Sequence, residues 1–209
     1  YAALLVIPNF VRLLNMLGIE TLINKKLPEL NVADPSGRQG RYLLQRLLVF
    51  RLVTSSILCI SLYLALPYYL EFVNKQELLE YRSAVLMYFL VITVNSFLST
   101  LFMTQLRYKV VSITETISAA LNLVLLAIFV MVGSGIFGVL YAYILATAMN
   151  ILIYTWLSRV HFTGETEAPN WGDMKPLALT SYGMSLFSFG LMTQSDVLLL
   201  NFFQVSDAD

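Results

Sequence analysis

Long stretches without charged side chains divide this chain into segments of similar length. Residues 52–70, 83–106 and 116–158 contain no Asp, Glu, Lys or Arg, and residues 1–19 and 176–203 contain one each. A helix needs about 20 mainly apolar residues to cross roughly 30 Å of hydrocarbon. Residues 116–158 suffice for two crossings, divided at Gly133-Ser134-Gly135. The pattern therefore predicts six spans, which are about 1–19, 52–70, 83–106, 112–132, 136–158 and 176–203.

The predicted spans are helical. Within hydrocarbon every backbone N–H and C=O must be paired inside its own segment, and the alternation of about ten residues that is typical of a membrane barrel is absent. Composition agrees, because 58% of the residues are hydrophobic and 12% are charged, against roughly 25% charged in soluble domains. We predict an all-α, polytopic transmembrane bundle, with residues 159–175 as a cytoplasmic connector toward a further helical group.

Basic residues collect in alternate connections between the spans. One set of connections holds Lys25, Lys26, Arg38, Arg41, Arg46, Arg51, Arg107, Lys109, Arg159 and Lys175. The opposite set holds Lys75 and Arg82, offset by three glutamates. Because cytoplasmic loops carry the excess of Lys and Arg, the first set is predicted to face the cytoplasm. The 13 basic and 13 acidic residues balance, so nucleic acid is not an expected partner.

The predicted orientation bears on the first residue. The chain begins with Tyr1, and residues 1–19 have neither the basic start nor the cleavage site of a signal peptide. Since the orientation puts Tyr1 on the outer side, we expect a preceding helix. The expectation is a fragment that covers most of the amino-terminal lobe of a larger bundle.

Several catalytic and cofactor sites are not expected. Gly133, Gly135 and Gly138 match the dinucleotide fingerprint by letters, but no strand precedes them, and a hairpin turn is favoured. His161 is the only histidine, which excludes histidine-rich zinc sites within this sequence. Cys59 is the only cysteine and cannot form an internal disulfide. We expect no catalytic residues, metal site or cofactor, and therefore no enzyme.

Arg12 is the first candidate for substrate binding. A guanidinium inside a membrane helix costs at least about 2.5 kcal/mol near the helix centre. Asn9 and Asn15 lie three residues before and after it, on the same helix face. Arg12 could reach the headgroups or pair with a carboxylate as a structural contact. Alternatively it binds a phosphate or pyrophosphate, since the planar guanidinium matches phosphate oxygens.

Other polar residues recur within the predicted spans. Asn122 and Asn150 belong to stripes that could either pair helices or line a shared polar cavity, and both are candidates for substrate binding. Glu115 and Asp196 are candidates for ion coupling, because a carboxylate at membrane depth could take up a proton or a cation. For Asp196 a capped, hydrated helix end is the alternative.

Two short segments resemble a known family. Residues 18–29, Gly-Ile-Glu-Thr-Leu-Ile-Asn-Lys-Lys-Leu-Pro-Glu, resemble the exit from the second helix of polysaccharide flippases, where a basic loop and a long third helix follow. Residues 194–200, Gln-Ser-Asp-Val-Leu-Leu-Leu, resemble their seventh helix. The chain is therefore similar to the O-antigen and lipid-linked oligosaccharide flippases of the multidrug/oligosaccharidyl-lipid/polysaccharide exporter superfamily, which have two pseudo-symmetric lobes.

The resemblance implies a function. A lipid-linked oligosaccharide on polyprenyl pyrophosphate would be flipped across the cytoplasmic (inner) membrane by alternating access, with Arg12 at the matching place for a phosphate contact. Its partners would be that substrate, membrane lipids and other membrane proteins of glycan assembly. Two alternatives remain open, namely a cation-coupled multidrug exporter of the same superfamily and a membrane-embedded glycosyltransferase or polymerase.

Overall fold

The computed structural model describes Asn15, residues 18–72, residues 76–169, Gly172 and residues 174–192. Six α-helices follow one another in these residues, and no strand occurs among them: α1 (Ile19–Ala33), α2 (Arg38–Phe72), α3 (Arg82–Thr104), α4 (Tyr108–Met131), α5 (Gly135–Phe162) and α6 (Met174–Met192). A short 3-10 helix, Gln76–Tyr81, precedes α3. The predicted all-α class is confirmed.

Four segments of the described chain are long and apolar enough to cross a membrane: Arg38–Glu71, Gln76–Thr104, Tyr108–Met131 and Gly135–Arg159. Their outer faces are strongly apolar. On α4, for example, Leu123 is 68% exposed and Val130 is 73% exposed. Such a continuous apolar exterior is stable only against hydrocarbon or another apolar surface. The protein is therefore a helical membrane bundle.

Helices α3, α4 and α5 overlap the predicted spans 83–106, 112–132 and 136–158. Helix α6 holds the described part of the predicted span 176–203, while the predicted span 1–19 lies almost wholly outside the described residues.

Two of the described helices extend beyond the predicted spans. Helix α1 fills residues 19–33, which follow the predicted span 1–19, and α2 begins at Arg38, ahead of the predicted span 52–70. The cause is a second set of apolar residues at helical spacing. Leu43, Leu44 and Leu47 of α2 are buried in one cluster with Ile23 and Leu27 of α1. This face of α2 therefore packs against protein.

Helix α5 lies at the centre of the bundle. It packs most extensively along α3 and α4, and α2 packs on α3. Phe97, Leu101 and Phe102 of α3 are fully buried in the same cluster as α1 and the start of α2, together with Tyr154 of α5. A second cluster closes the opposite end, where Leu66 and Leu70 of α2, Leu78, Ala84 and Val85 of the α3 region, and Leu140 of α5 meet.

Residues 162–169, here called the strap, bind the start of α2. Glu165 forms an ion pair with Arg38 at 2.7 Å. The backbone carbonyl of Glu165 accepts a hydrogen bond from Arg41 Nε at 3.0 Å. The backbone N–H of Glu167 donates to the Arg38 carbonyl at 3.3 Å. The end of α5 is thus tied to the beginning of α2, on the side that the charge pattern assigns to the cytoplasm.

The turn between α4 and α5 confirms the hairpin predicted for the glycine motif. Gly133 has a φ of +74°, a left-handed conformation that glycine adopts without strain. Gly138 serves a different purpose. A Cβ built there would lie 2.6 Å from the Cβ of Phe129. The missing side chain lets the two helices approach closely, as small residues do in membrane bundles.

We expect Gly138→Ala to lower the free energy of unfolding by about 1–3 kcal/mol, because α4 and α5 must separate to admit the new methyl group. The measurement is unfolding in mixed detergent micelles. Gly183→Ala on α6 is the matched control, since no atom of the described residues lies within 4 Å of a Cβ built there. It should be neutral or stabilising by up to about 1 kcal/mol, because alanine favours helix. Equal effects at both positions would contradict the close-packing role of Gly138.

Candidate functional site

Buried polar oxygens occur in α3, α4 and α5 without a hydrogen-bond partner among the described residues. They belong to the side chains of Thr93, Asn95, Asn122, Asn150 and Tyr154. Thr93 and Tyr154 are fully buried, and Asn150 is 5% exposed. Leaving such a group unsatisfied costs about 1–3 kcal/mol. Each oxygen can therefore accept a hydrogen bond from a ligand or from water.

A hydrogen bond fixes the register between α4 and α5. Ser118 Oγ donates to the carbonyl of Ala146 at 3.0 Å. Because a tight turn joins the two helices, they run antiparallel. Asn122 lies one turn beyond Ser118 toward the turn, and Asn150 lies one turn beyond Ala146 in the opposite direction. Since each residue rises by about 1.5 Å along its helix, the side-chain amides of Asn122 and Asn150 lie at different depths, one on each side of the Ser118–Ala146 hydrogen bond.

The same register brings Glu115 to the level of Asn150. Glu115 is exposed and lines an open groove of ≈470 Å³ on α4, together with Tyr108, Ser112 and Thr116. Tyr154, whose hydroxyl is buried, lies one turn beyond Asn150 on α5. Glu115, Asn150 and Tyr154 are here called the inner polar group. The structure therefore places two of the predicted site residues, Glu115 and Asn150, at a similar depth in the bundle, and Asn122 at a different one.

The ring of Tyr154 also links the inner polar group to α3. Tyr154 stacks on Phe102, with the ring centroids 5.2 Å apart. Asn95 lies about two turns from Phe102 along α3, on the side toward the membrane interior. The inner polar group is thus rigidly held, because its tyrosine belongs to the main hydrophobic cluster.

The side chain of Asn15 makes two hydrogen bonds to α2. It is fully buried, and its amide nitrogen donates to Ser55 Oγ at 2.7 Å. Its side-chain oxygen accepts a hydrogen bond from Thr54 Oγ1, also at 2.7 Å. Both polar atoms of the Asn15 side chain are therefore engaged with α2, and its role in substrate binding stays a prediction.

The sequence analysis missed an ion pair between Arg51 and Glu20. Arg51 is fully buried, and its Nη2 lies 3.0 Å from Glu20 Oε1 in the first turn of α1. Its Nη1 donates to the backbone carbonyl of Asn15 at 2.7 Å. Counting Arg51 among the cytoplasmic loop cations was wrong. The available signal was spacing, since Arg51 follows Leu47 by four residues and precedes Ser55 by four on the buried face of α2.

His161 lies in the last turn of α5, beyond the membrane-crossing segment. Its Nδ1 is 3.4 Å from the amide nitrogen of Gln105. Burial lowers the pKa of His161 below its ordinary value of 6.5, and the positive charges of Arg107 and Arg41 lower this pKa further. The imidazole is therefore neutral at neutral pH.

Three of the predicted site residues, Asn9, Arg12 and Asp196, lie outside the described residues. Their roles in substrate binding and ion coupling stay predictions.

Comparison with known proteins gives one match. The family model described as polysaccharide biosynthesis protein matches residues 7–208 of the chain, which includes all six described helices. No curated protein and no solved structure matches the chain significantly.

We expect Glu20→Leu to destabilise the protein by about 3–5 kcal/mol, because it leaves the Arg51 guanidinium buried without its carboxylate. The double variant Glu20→Leu/Arg51→Met should lose clearly less than the sum of the two single losses. The measurement is a double-mutant cycle on the free energy of unfolding in mixed micelles.

The matched control for this cycle is the exposed pair of Arg38 and Glu165, whose side chains are 49% and 77% exposed. Glu165→Gln should cost at most about 1 kcal/mol, as is usual for surface ion pairs. Additive losses at Glu20 and Arg51 would show that the buried contact contributes no coupling.

We expect acid to destabilise the protein in part through His161. The unfolded chain protonates this imidazole near pH 6.5, whereas the folded protein does so only at lower pH. Stability is therefore lost as the pH falls through about 6.5 toward the lowered pKa. Between about pH 7.5 and pH 5.5 the unfolding temperature of His161→Gln should fall less than that of the parent protein. Parallel pH profiles would be inconsistent with this role.

Proposed function

The chain belongs to the family of polysaccharide biosynthesis proteins, and on that premise we propose that it flips a lipid-linked oligosaccharide across the cytoplasmic membrane by alternating access. The proposed substrate is an oligosaccharide on polyprenyl pyrophosphate. The protein acts in this proposal as a transporter and not as an enzyme. Its partners are the lipid-linked substrate, the surrounding lipids and other membrane proteins of glycan assembly.

The observation that carries the proposal is the set of unpaired oxygens inside α3, α4 and α5. An oligosaccharide is rich in hydroxyl donors, and amide or hydroxyl oxygens are suitable acceptors for them. The oxygens of Asn150 and Tyr154 are buried and have no hydrogen-bond partner within the described chain. A sugar hydroxyl that reached these two oxygens could donate a hydrogen bond to each.

Arg12 is the proposed contact for the pyrophosphate. A guanidinium can bind phosphate oxygens with two parallel hydrogen bonds. The buried Arg51 is a less suitable candidate, because it already bonds Glu20 and the Asn15 carbonyl. Asn9 is proposed to assist Arg12 from the same helix face.

Transport in this proposal is driven by an ion gradient or by the flux of substrate. Glu115 and Asp196 are the proposed ion-coupling carboxylates. Glu115 suits this role because it is exposed in the open groove, at a depth similar to that of Asn150. Taking up a proton or a cation at Glu115 would change the electric field at Asn150 and Tyr154. This feature also keeps the cation-coupled multidrug exporter as the second candidate.

We expect Asn150→Leu to reduce glycan export about five- to 150-fold, since losing one hydrogen bond to a substrate in a dry site costs about 1–3 kcal/mol. The measurement is complementation of a strain that lacks lipid-linked oligosaccharide export. Membrane abundance is quantified in parallel. The control is Thr147→Val, on the same helix, whose hydroxyl already bonds the carbonyl of Tyr143 at 2.8 Å. It should export normally.

The two candidate functions separate in the same cells. The flippase is supported if the parent protein exports glycan and if Asn150→Leu and Arg12→Ala lose this export at unchanged membrane abundance. Dye efflux that depends on a proton or sodium gradient, and that disappears in Asp196→Asn, would favour the exporter. Normal glycan export by Asn150→Leu would remove the inner polar group from the substrate path.

A further inference from the structure

A groove of ≈280 Å³ opens between α1, α2 and α6, away from the inner polar group. Its walls are mainly apolar, with Ile19 and Leu22 from α1 and Leu47 and Phe50 from α2. Helix α6 contributes Lys175, Ala178, Leu179 and Tyr182, which recur at helical spacing on one face. With a rise of about 1.5 Å per residue, this face follows the groove for about 10 Å.

The groove is preformed, because α1 and α6 touch through their backbones. A Cβ built at Gly18 would lie 2.3 Å from the carbonyl oxygen of Ala178. This contact holds α6 against the start of α1. The outer lip stays open, since Phe50 is 49% exposed and Leu179 is 73% exposed.

Basic residues occur on all three helices toward the cytoplasmic end of the groove. Lys175 lines the groove itself and is exposed. Arg46 lies one turn from Phe50 on the same face of α2, and its guanidinium is 5.2 Å from the ring centroid of Tyr42. Lys26 lies one turn from Leu22 on α1 and forms an ion pair with Glu29 at 2.7 Å. The strap and the short connection after α1 place these three ends on one side of the bundle.

We propose that this groove binds one anionic phospholipid of the cytoplasmic leaflet, with a hydrocarbon chain between Phe50 and Leu179 and the phosphate at Lys175. The chemistry follows from the lining. An apolar slot favours a hydrocarbon chain, and basic side chains at its cytoplasmic end favour an anionic headgroup. A soluble phosphate would leave the apolar walls unused. Lys26 and Glu29 form an ion pair and offset each other, so the positive charge offered to the lipid phosphate is that of Lys175 and Arg46.

The test uses the full chain, purified in a non-ionic detergent and titrated with dioleoyl phosphatidylglycerol or dioleoyl phosphatidylcholine. Bound lipid is counted by native mass spectrometry. One phosphatidylglycerol should bind at least tenfold more tightly than phosphatidylcholine. Lys175→Gln should weaken phosphatidylglycerol binding about fivefold, which corresponds to the roughly 1 kcal/mol that a basic residue contributes at an anionic lipid surface. Phosphatidylcholine binding should not change.

The matched control is Lys109→Gln, which removes an exposed basic residue on the same side of the bundle but away from the groove. It should leave lipid binding unchanged. A phosphatidylglycerol with a photoreactive group in its acyl chain should label peptides that contain Phe50 or Leu179.

Three results would overturn the proposal. The first is equal binding of the two phospholipids, and the second is an equal loss of binding in the two lysine variants. The third is displacement of phosphatidylglycerol by inorganic phosphate or by an equimolar polyprenyl phosphate, which would assign the groove to a soluble anion or to a transport substrate. Lipid binding is measured on the purified protein without transport. A negative binding result therefore does not count against the proposed flipping activity, and a loss of flipping does not count against lipid binding.

Discussion

The buried guanidinium of Arg51 is the constraint on which the packing of the first two helices depends. A cation inside an apolar bundle is tolerated only where carboxylates and carbonyls surround it. Arg51 meets this requirement through Glu20 and the carbonyl of Asn15. These contacts tie the first turn of α1 to α2, and leucines of both helices share one buried cluster. The core that α3 and α5 complete is built on this junction.

Much of the fold follows from the sequence, since charge-free stretches of membrane length identify α3, α4 and α5 directly. The same rule misplaces Arg51. It treats every basic residue near a span as a loop residue, whereas Arg51 is neutralised by Glu20, a partner far away in the chain. Hydropathy carries no information about such a partner. Only the spacing of Arg51 relative to Leu47 and Ser55 suggested a buried position.

The candidate site was less predictable than the fold, because a polar residue in a membrane helix serves either packing or binding. Asn15, Ser118 and Asn150 are all polar residues within predicted spans, yet Asn15 and Ser118 are engaged in hydrogen bonds to a neighbouring helix. Asn150 and Tyr154 retain oxygens that no described residue satisfies. The difference is set by which side chain lies opposite, and therefore by the helix register. The Ser118 contact that determines this register is itself invisible in a single sequence.

The strap has a topological consequence. The backbone N–H of Glu167 donates a hydrogen bond to the carbonyl of Arg38. The chain that runs from α2 to the end of α5 therefore comes back to the first residue of α2. These four helices form a nearly closed ring of polypeptide, with both ends at the same surface. Domains whose ends meet in this way commonly tolerate circular permutation. A short peptide between the strap and the start of α2 would join the ends, and a new opening at the Gly133 turn would leave every helix pair of the ring in place.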